Sequence, residues 1–280
     1  MSFLQRRPGV LPEYRFGSRG AGKESTLEAK SSHVDRSKYP ELAHLSRPEI
    51  WREVGPGGLY LVSRLIRHLN LRPGDWVLDL GCGAGESSLY LAERCGARVV
   101  AADLWTDPAD NARKIVERGC RDRVIPMRLD ASEPLPFAPS YFDAILVINN
   151  LNFYGTDRAV IDRIAGCLKK GGVFCSGGEC LNCEFTPEQI ANPPEVYSFA
   201  EPVWKDDFLT SHSPGWWADH VARSQMLELV SCEEVEDGRR YYEEQALISE
   251  PHGYFGMSPQ QARALEIRQI EYGRANRPYM

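Results

Sequence analysis

Val77-Leu-Asp-Leu-Gly-Cys-Gly-Ala-Gly85 decides how this chain is read. An apolar run ends in three alternating glycines and passes into a helix-like stretch, Glu86 to Glu93. That is the strand–turn–helix of a nucleotide-type cofactor site. Glycines at 81, 83 and 85 let the backbone turn sharply and let a ligand approach without Cβ clashes. Asp79 stands just before the first glycine, and Asp103 closes the next apolar run, 98–103, where a carboxylate can hydrogen-bond two ribose hydroxyls.

Working outward, strand-like runs fall at 76–81, 98–103, 123–128, 142–148 and 172–176, with helical stretches at 85–95, 108–118 and 157–168. Such alternation predicts an α/β fold: a Rossmann-like, mostly parallel sheet with helices on both faces. Two more apolar runs, 227–235 and 241–248, flank Glu236-Asp237-Gly238 and predict an antiparallel C-terminal hairpin. The dinucleotide fingerprint places its third glycine one residue later than here and serves a pyrophosphate, which Asp79 would repel. A donor carrying an ammonium and a sulfonium, S-adenosylmethionine, suits both the spacing and the acid. With Leu129-Asp130-Ala131, Leu135-Pro136-Phe137 and Phe142-Asp143-Ala144-Ile145 following, residues 50–250 resemble a class I S-adenosylmethionine-dependent methyltransferase.

A narrower resemblance rests on the segment from Pro48 to Tyr60, on Ala102-Asp103-Leu104-Trp105, on Tyr154-Gly-Thr-Asp157 and on Ser213-Pro-Gly-Trp-Trp217. These are similar to a bacterial small-molecule group labelled cyclopropane-fatty-acid-synthase-like. That group's fourth strand ends in Asp-Ala-Tyr-His-Tyr-Phe-Gly-Thr, whereas this chain has Asn149-Asn-Leu-Asn-Phe-Tyr-Gly-Thr156, so neither substrate nor base carries over. For the donor, the resemblance implies backbone contacts from Gly81, Cys82 and Gly83 to the methionine moiety, with Asp79 orienting its ammonium directly or through water. It implies Asp103 on the ribose, Leu104 and Trp105 over the adenine, and Asp130 and Ala131 at the adenine edge. Asn149 would sit beside the transferring methyl, and Tyr60 would reach the methionine end. The product would be S-adenosylhomocysteine.

The 280 residues are 42% apolar, enough to bury one sizeable core. A formal charge of −6 leaves no overall footprint for nucleic acid. No apolar run reaches the ~20 residues of a membrane helix, so no stable membrane insertion is expected. Eight scattered cysteines and the lack of an apolar leader predict a cytoplasmic enzyme with reduced thiols. We divide the chain into a flexible basic arm (1–45), the methyltransferase domain (46–250) and a C-terminal helical extension (251–280). Within the domain, the insert 178–212 follows the fifth strand, where loops bind ligands, and carries Phe185, Tyr197, Phe199 and Trp204. It is expected to shape the acceptor site.

Other motifs fail on spacing. Gly17 to Glu24 lacks the Ser or Thr of a P-loop, Asn192-Pro-Pro is misplaced for a nucleic-acid amino-methylating signature, and Cys180-x-x-Cys183 has no second pair for zinc, so no metal is expected. Methyl transfer from a sulfonium needs alignment first, and a base only where the acceptor must lose a proton. His212, just before the helix with Trp216 and Trp217, is the leading base candidate. His220 shares that helix face, and Tyr154 is placed to position an acceptor. The partner expected is a small-molecule acceptor, with a homodimer left open. Two alternatives stay open: methylation of a lipid or tRNA, and a donor-binding regulatory or scaffold protein without turnover.

Overall fold

A computed structural model describes residues 58–192 and 210–236, together with isolated positions from 238 onward. The arm, the segment from Pro48 to Pro56, the aromatics Tyr197, Phe199 and Trp204, and the run 241–248 lie outside the described residues, as does nearly all of the C-terminal extension. Helix α1 spans Gly58–Leu69, and β1 (Trp76–Leu80) leads through the glycine turn into α2 (Glu86–Cys95). Strand β2 (Arg98–Asp103), helix α3 (Pro108–Glu117) and strand β3 (Val124–Arg128) follow. Then come β4 (Phe142–Ile148), a 3-10 turn at Leu151–Tyr154, α4 (Arg158–Ala165) and β5 (Leu168–Gly177). Two short helices, α5 (Pro187–Ala191) and α6 (Pro214–Ala222), complete the described elements.

The five strands form one sheet in the order β3-β2-β1-β4-β5, and every neighbouring pair is parallel. The chain winds outward from β1 through β2 to β3, then returns to build β4 and β5 on the other side. Right-handed crossovers place α2 and α3 on one face of the sheet and α4 on the other. The period-two alternation of the strands shows both faces. Leu78, Leu80, Val100, Ala102, Ile145 and Val147 bury against Val160 and Ile164 of α4. Asp79, the intervening position of β1, points the opposite way and meets Ser87 and Ser88 of α2. Helix α1 packs its apolar stripe over β4 and β5 beside α2.

Two boundaries differ from the sequence expectation. The helix expected over 157–168 stops at Ala165, and β5 starts at Leu168, four residues before its apolar run. Lys169-Lys-Gly-Gly172 reads as a turn but is absorbed as a bulge: Phe142 pairs with Leu168, while Ala144 pairs with Val173. Asp143 pins that bulge, accepting from the Trp76 N–H at 2.9 Å and the Lys169 ammonium at 2.8 Å. The described half of the expected hairpin, 227–235, forms no strand. Its apolar side chains find no sheet edge among the described residues, and Val230 is 92% exposed.

Candidate active site

The carboxyl ends of β1, β2 and β4 converge on the glycine turn. The N–H groups of Gly81 and Cys82 both donate to the Ala102 carbonyl, at 2.7 and 3.0 Å, locking the turn to β2. The Gly83 N–H donates to Asp103 Oδ2 at 2.9 Å. All three amides are thus engaged within the protein. What the turn offers instead is open glycine backbone, since a Cβ at Gly83 would meet nothing within 4 Å. The opposite holds at Gly81. Its φ is +76°, and a Cβ there would lie 1.7 Å from Asn150 Nδ2 and 2.7 Å from the Tyr154 hydroxyl.

Three side chains tie down the turn's carbonyls. Asn150 Nδ2 donates to Gly81 O at 2.7 Å, Asn111 Nδ2 to Gly83 O at 2.9 Å, and Lys114 Nζ to Ala84 O at 3.0 Å. Asn150 and Asn111 each keep a buried Oδ1 without a hydrogen-bond partner among the described residues. Neither was singled out from the sequence. For Asn150 the available signal was the Asn149-Asn150 pair directly after an apolar strand. Asn149 adopts a left-handed conformation (φ 59°) with its N–H bonded to Gly177 O at 2.8 Å, and the chain reversal this produces carries Asn150 to the glycine turn.

Asp103 is the organising acid. Its Oδ1 accepts from the Trp105 and Thr106 N–H groups, each at 2.8 Å, while Oδ2 holds Gly83. A carboxylate has about four acceptor positions, so one remains for a ligand. Its own carbonyl accepts from the Leu129 N–H at 3.0 Å, which brings the β3 end alongside. There Asp130 Oδ1 accepts from the Ser132 N–H and hydroxyl, at 2.9 and 2.6 Å, and Ala131 is held through its carbonyl by Arg163. Leu104 is half-buried, and Trp105, 50% exposed, meets Phe153 edge-on with ring centroids 6.0 Å apart. That pair joins the β2 loop to the turn after β4.

Asp79 lies deep beneath the glycine turn. It is 1% exposed, and its Oδ2 accepts from the hydroxyls of Ser87 at 2.6 Å and Ser88 at 2.5 Å. Burial raises its pKa from 3.8 to about 6, the two hydroxyls pull it back in part, and the charge of Asp103 pushes it up again. The folded state therefore binds this proton more tightly than the unfolded chain. Its contribution is full below pH ~4 and is lost as pH rises to about 6, a change of about 3 kcal/mol. Urea unfolding of wild type and Asp79→Asn at pH 4, 5, 6 and 7 should show this decline in the difference between the two proteins. A pH-independent difference would remove the titration from Asp79.

Tyr154 belongs to the donor side of the site, its hydroxyl lying over Gly81. Burial, then the charges of Asp103 and Asp79, push its phenol pKa well above 10, so it stays protonated and serves as a hydrogen-bond donor. Burial likewise drives the Cys82 thiol up, leaving it an inert wall. Tyr60 is buried within α1. The histidines form a second cluster on α6 and the segment after β5. His212 Nδ1 lies 2.7 Å from Glu184 Oε2, and its ring stacks on Trp216 at 3.6 Å and 7°. His220, 5% exposed, lies parallel to the same indole at 4.7 Å. Burial, then Arg223 and His212, lower its pKa, so it is a neutral packing group in this helix.

Residues 77–172 match the family described as "Methyltransferase domain". A ubiquinone/menaquinone biosynthesis C-methyltransferase of Cupriavidus metallidurans is 25% identical over 213 residues, covering 68% of this chain and 82% of that protein. A demethylmenaquinone methyltransferase of Corynebacterium urealyticum is 35% identical over 135 residues, 48% of this chain and 52% of that one. The chain thus spans most of the first relative and about half of the second. Geranyl diphosphate C-methyltransferase of Streptomyces coelicolor, solved with S-adenosylhomocysteine, superposes with a TM-score of 0.56 at 20% identity. That superposition covers 77% of this chain and 74% of the other, and it establishes a shared fold. None of these three carries the cyclopropane label.

Proposed function

We propose that this S-adenosylmethionine-dependent methyltransferase, whose residues 77–172 match the methyltransferase domain family, moves a methyl group onto a small-molecule acceptor by in-line displacement. The observation that carries this reading is the buried Oδ1 of Asn150, which has no hydrogen-bond partner among the described residues while its Nδ2 holds the Gly81 carbonyl. A buried acceptor without a donor is costly, and an ammonium is the group that satisfies it best. The residues present fit the donor: Asn150 for its ammonium, the remaining position of Asp103 for the ribose, and the free oxygen of Asp130 for the adenine amine.

When bound, the donor supplies a methyl group already activated on a sulfonium. The chain's own task is alignment. Asn150, Asn111 and Lys114 hold the turn's backbone still, Tyr154 keeps a protonated hydroxyl over Gly81, and Trp105 with Phe153 shields the rim. Relatives named for demethylmenaquinone and geranyl diphosphate support an acceptor of small-molecule size. Calorimetric titration with S-adenosylhomocysteine tests the donor site. Wild type should bind, and Asn150→Ala should bind about tenfold or more weakly, through loss of a charge-assisted hydrogen bond. Equal affinities would end the role given to Asn150.

A further inference from the structure

We propose that Glu184 is the positioning residue for His212 and that the pair takes a proton from a weakly acidic hydroxyl on the acceptor. This rests on the donor reading above. Glu184 Oε2 receives the Nδ1–H of His212 at 2.7 Å. That fixes the tautomer, leaving the lone pair on Nε2 as the basic position. The second carboxylate oxygen, Oε1, accepts from both the N–H and the hydroxyl of Ser213, each at 2.7 Å, so the carboxylate is held by a fork at the start of α6. Burial alone would raise the Glu184 pKa, but the bonds from His212 and Ser213 outweigh it and keep the group ionised.

Trp216 fixes the third degree of freedom. With the indole 3.6 Å away and 7° from parallel, the stack holds the imidazole against rotation out of its plane. His220, on the same indole, stays neutral and adds no opposing charge. The chain ties this cluster to the end of β5, beside the end of β4. Leu181 N–H donates to His212 O at 3.1 Å, and Gly178, three residues earlier, packs against Asn149 with only 3.1 Å between a Cβ there and the Asn149 Cα. Three residues span at most about 10 Å, which keeps the His212 backbone within roughly 20 Å of the end of β4.

A base is superfluous for an acceptor that is already anionic. A clamped carboxylate–imidazole pair indicates an acceptor that must shed a proton, as a phenol or enol does. In the step, the acceptor O–H proton passes to His212 Nε2. The oxygen's pair forms the bond to the methyl carbon as the carbon–sulfur bond breaks, leaving its pair on sulfur. The imidazolium then returns its proton to water.

The test uses the full chain with labelled donor and a panel of hydroxyl probes, catechol and 4-hydroxybenzoate among them. Wild type should methylate at least one probe. Glu184→Gln should lower kcat by about 100-fold with little change in KM. The double variant with His212→Gln should be no slower than His212→Gln alone, the signature of two groups acting as one. The nitrogen-15 shifts of His212 give a readout apart from turnover: Nδ1–H in wild type, and a tautomer mixture in Glu184→Gln. Additive losses in the double variant, or an unchanged tautomer, would reduce Glu184 to a fastener of α6. S-adenosylhomocysteine binding without transfer to any hydroxyl probe would overturn the acceptor class while leaving the donor reading intact. Failure to bind S-adenosylhomocysteine would remove both.

Discussion

Gly81→Ala should destabilise the protein by about 4 kcal/mol and abolish measurable S-adenosylhomocysteine binding. Left-handed backbone costs a non-glycine residue about 1–2 kcal/mol, and Gly81 sits at φ +76°. The larger part comes from collision. A Cβ placed 1.7 Å from Asn150 Nδ2 and 2.4 Å from its Cγ must evict that side chain, which forfeits the bond to Gly81 O and adds about 1–3 kcal/mol. Tyr154 would be pushed out as well. Against a typical total of about 5–15 kcal/mol, such a loss is severe. Thermal melts measure the stability, and calorimetry measures the binding. Gly83→Ala is the control: its Cβ meets open space, so only the backbone cost applies to stability.

Asp103→Asn should lower stability by about 3 kcal/mol and weaken S-adenosylhomocysteine binding at least about tenfold. The carboxylate accepts three backbone N–H groups at once, and the amide nitrogen of Asn would face at least one of them donor to donor. The loss spreads beyond the ribose contact proposed for it, because the Gly83 N–H and the loop carrying Trp105 are released together. Asp130→Asn interrupts only a local Ser132 turn, so it should leave the melting temperature nearly unchanged. Equal destabilisation by the two substitutions would refute the organising role of Asp103.

The framework was legible because its signals are local. An apolar run, three spaced glycines and a following helix sit within one stretch of chain, and β2 and β4 fall at 98–103 and 142–148 as their apolar runs indicate. What escaped depends on contacts between distant residues. Asn150 meets Gly81 across 69 positions, Asn111 meets Gly83 across 28, and Glu184 meets His212 across the same number. Nothing in the spacing of an asparagine announces which carbonyl it will find. Asn149 ends the strand with a left-handed backbone (φ 59°), a reversal that no local pattern announces. The start of β5 was hidden for a different reason: Lys169-Lys-Gly-Gly172 has turn composition, and its place in the sheet comes from Asp143 on the adjacent strand.

With the carbonyls of Gly81, Gly83 and Ala84 each held by a side chain from β4's end or from α3, the wall proposed to meet the donor is braced before any donor arrives. Ordering entropy that a floppy glycine loop would surrender on docking has already been lost in folding. Affinity for the donor is thereby linked to the integrity of α3, a helix whose braces act on the back of the turn. Loosening Asn111 or Lys114 makes the pocket softer, and the donor must then freeze it.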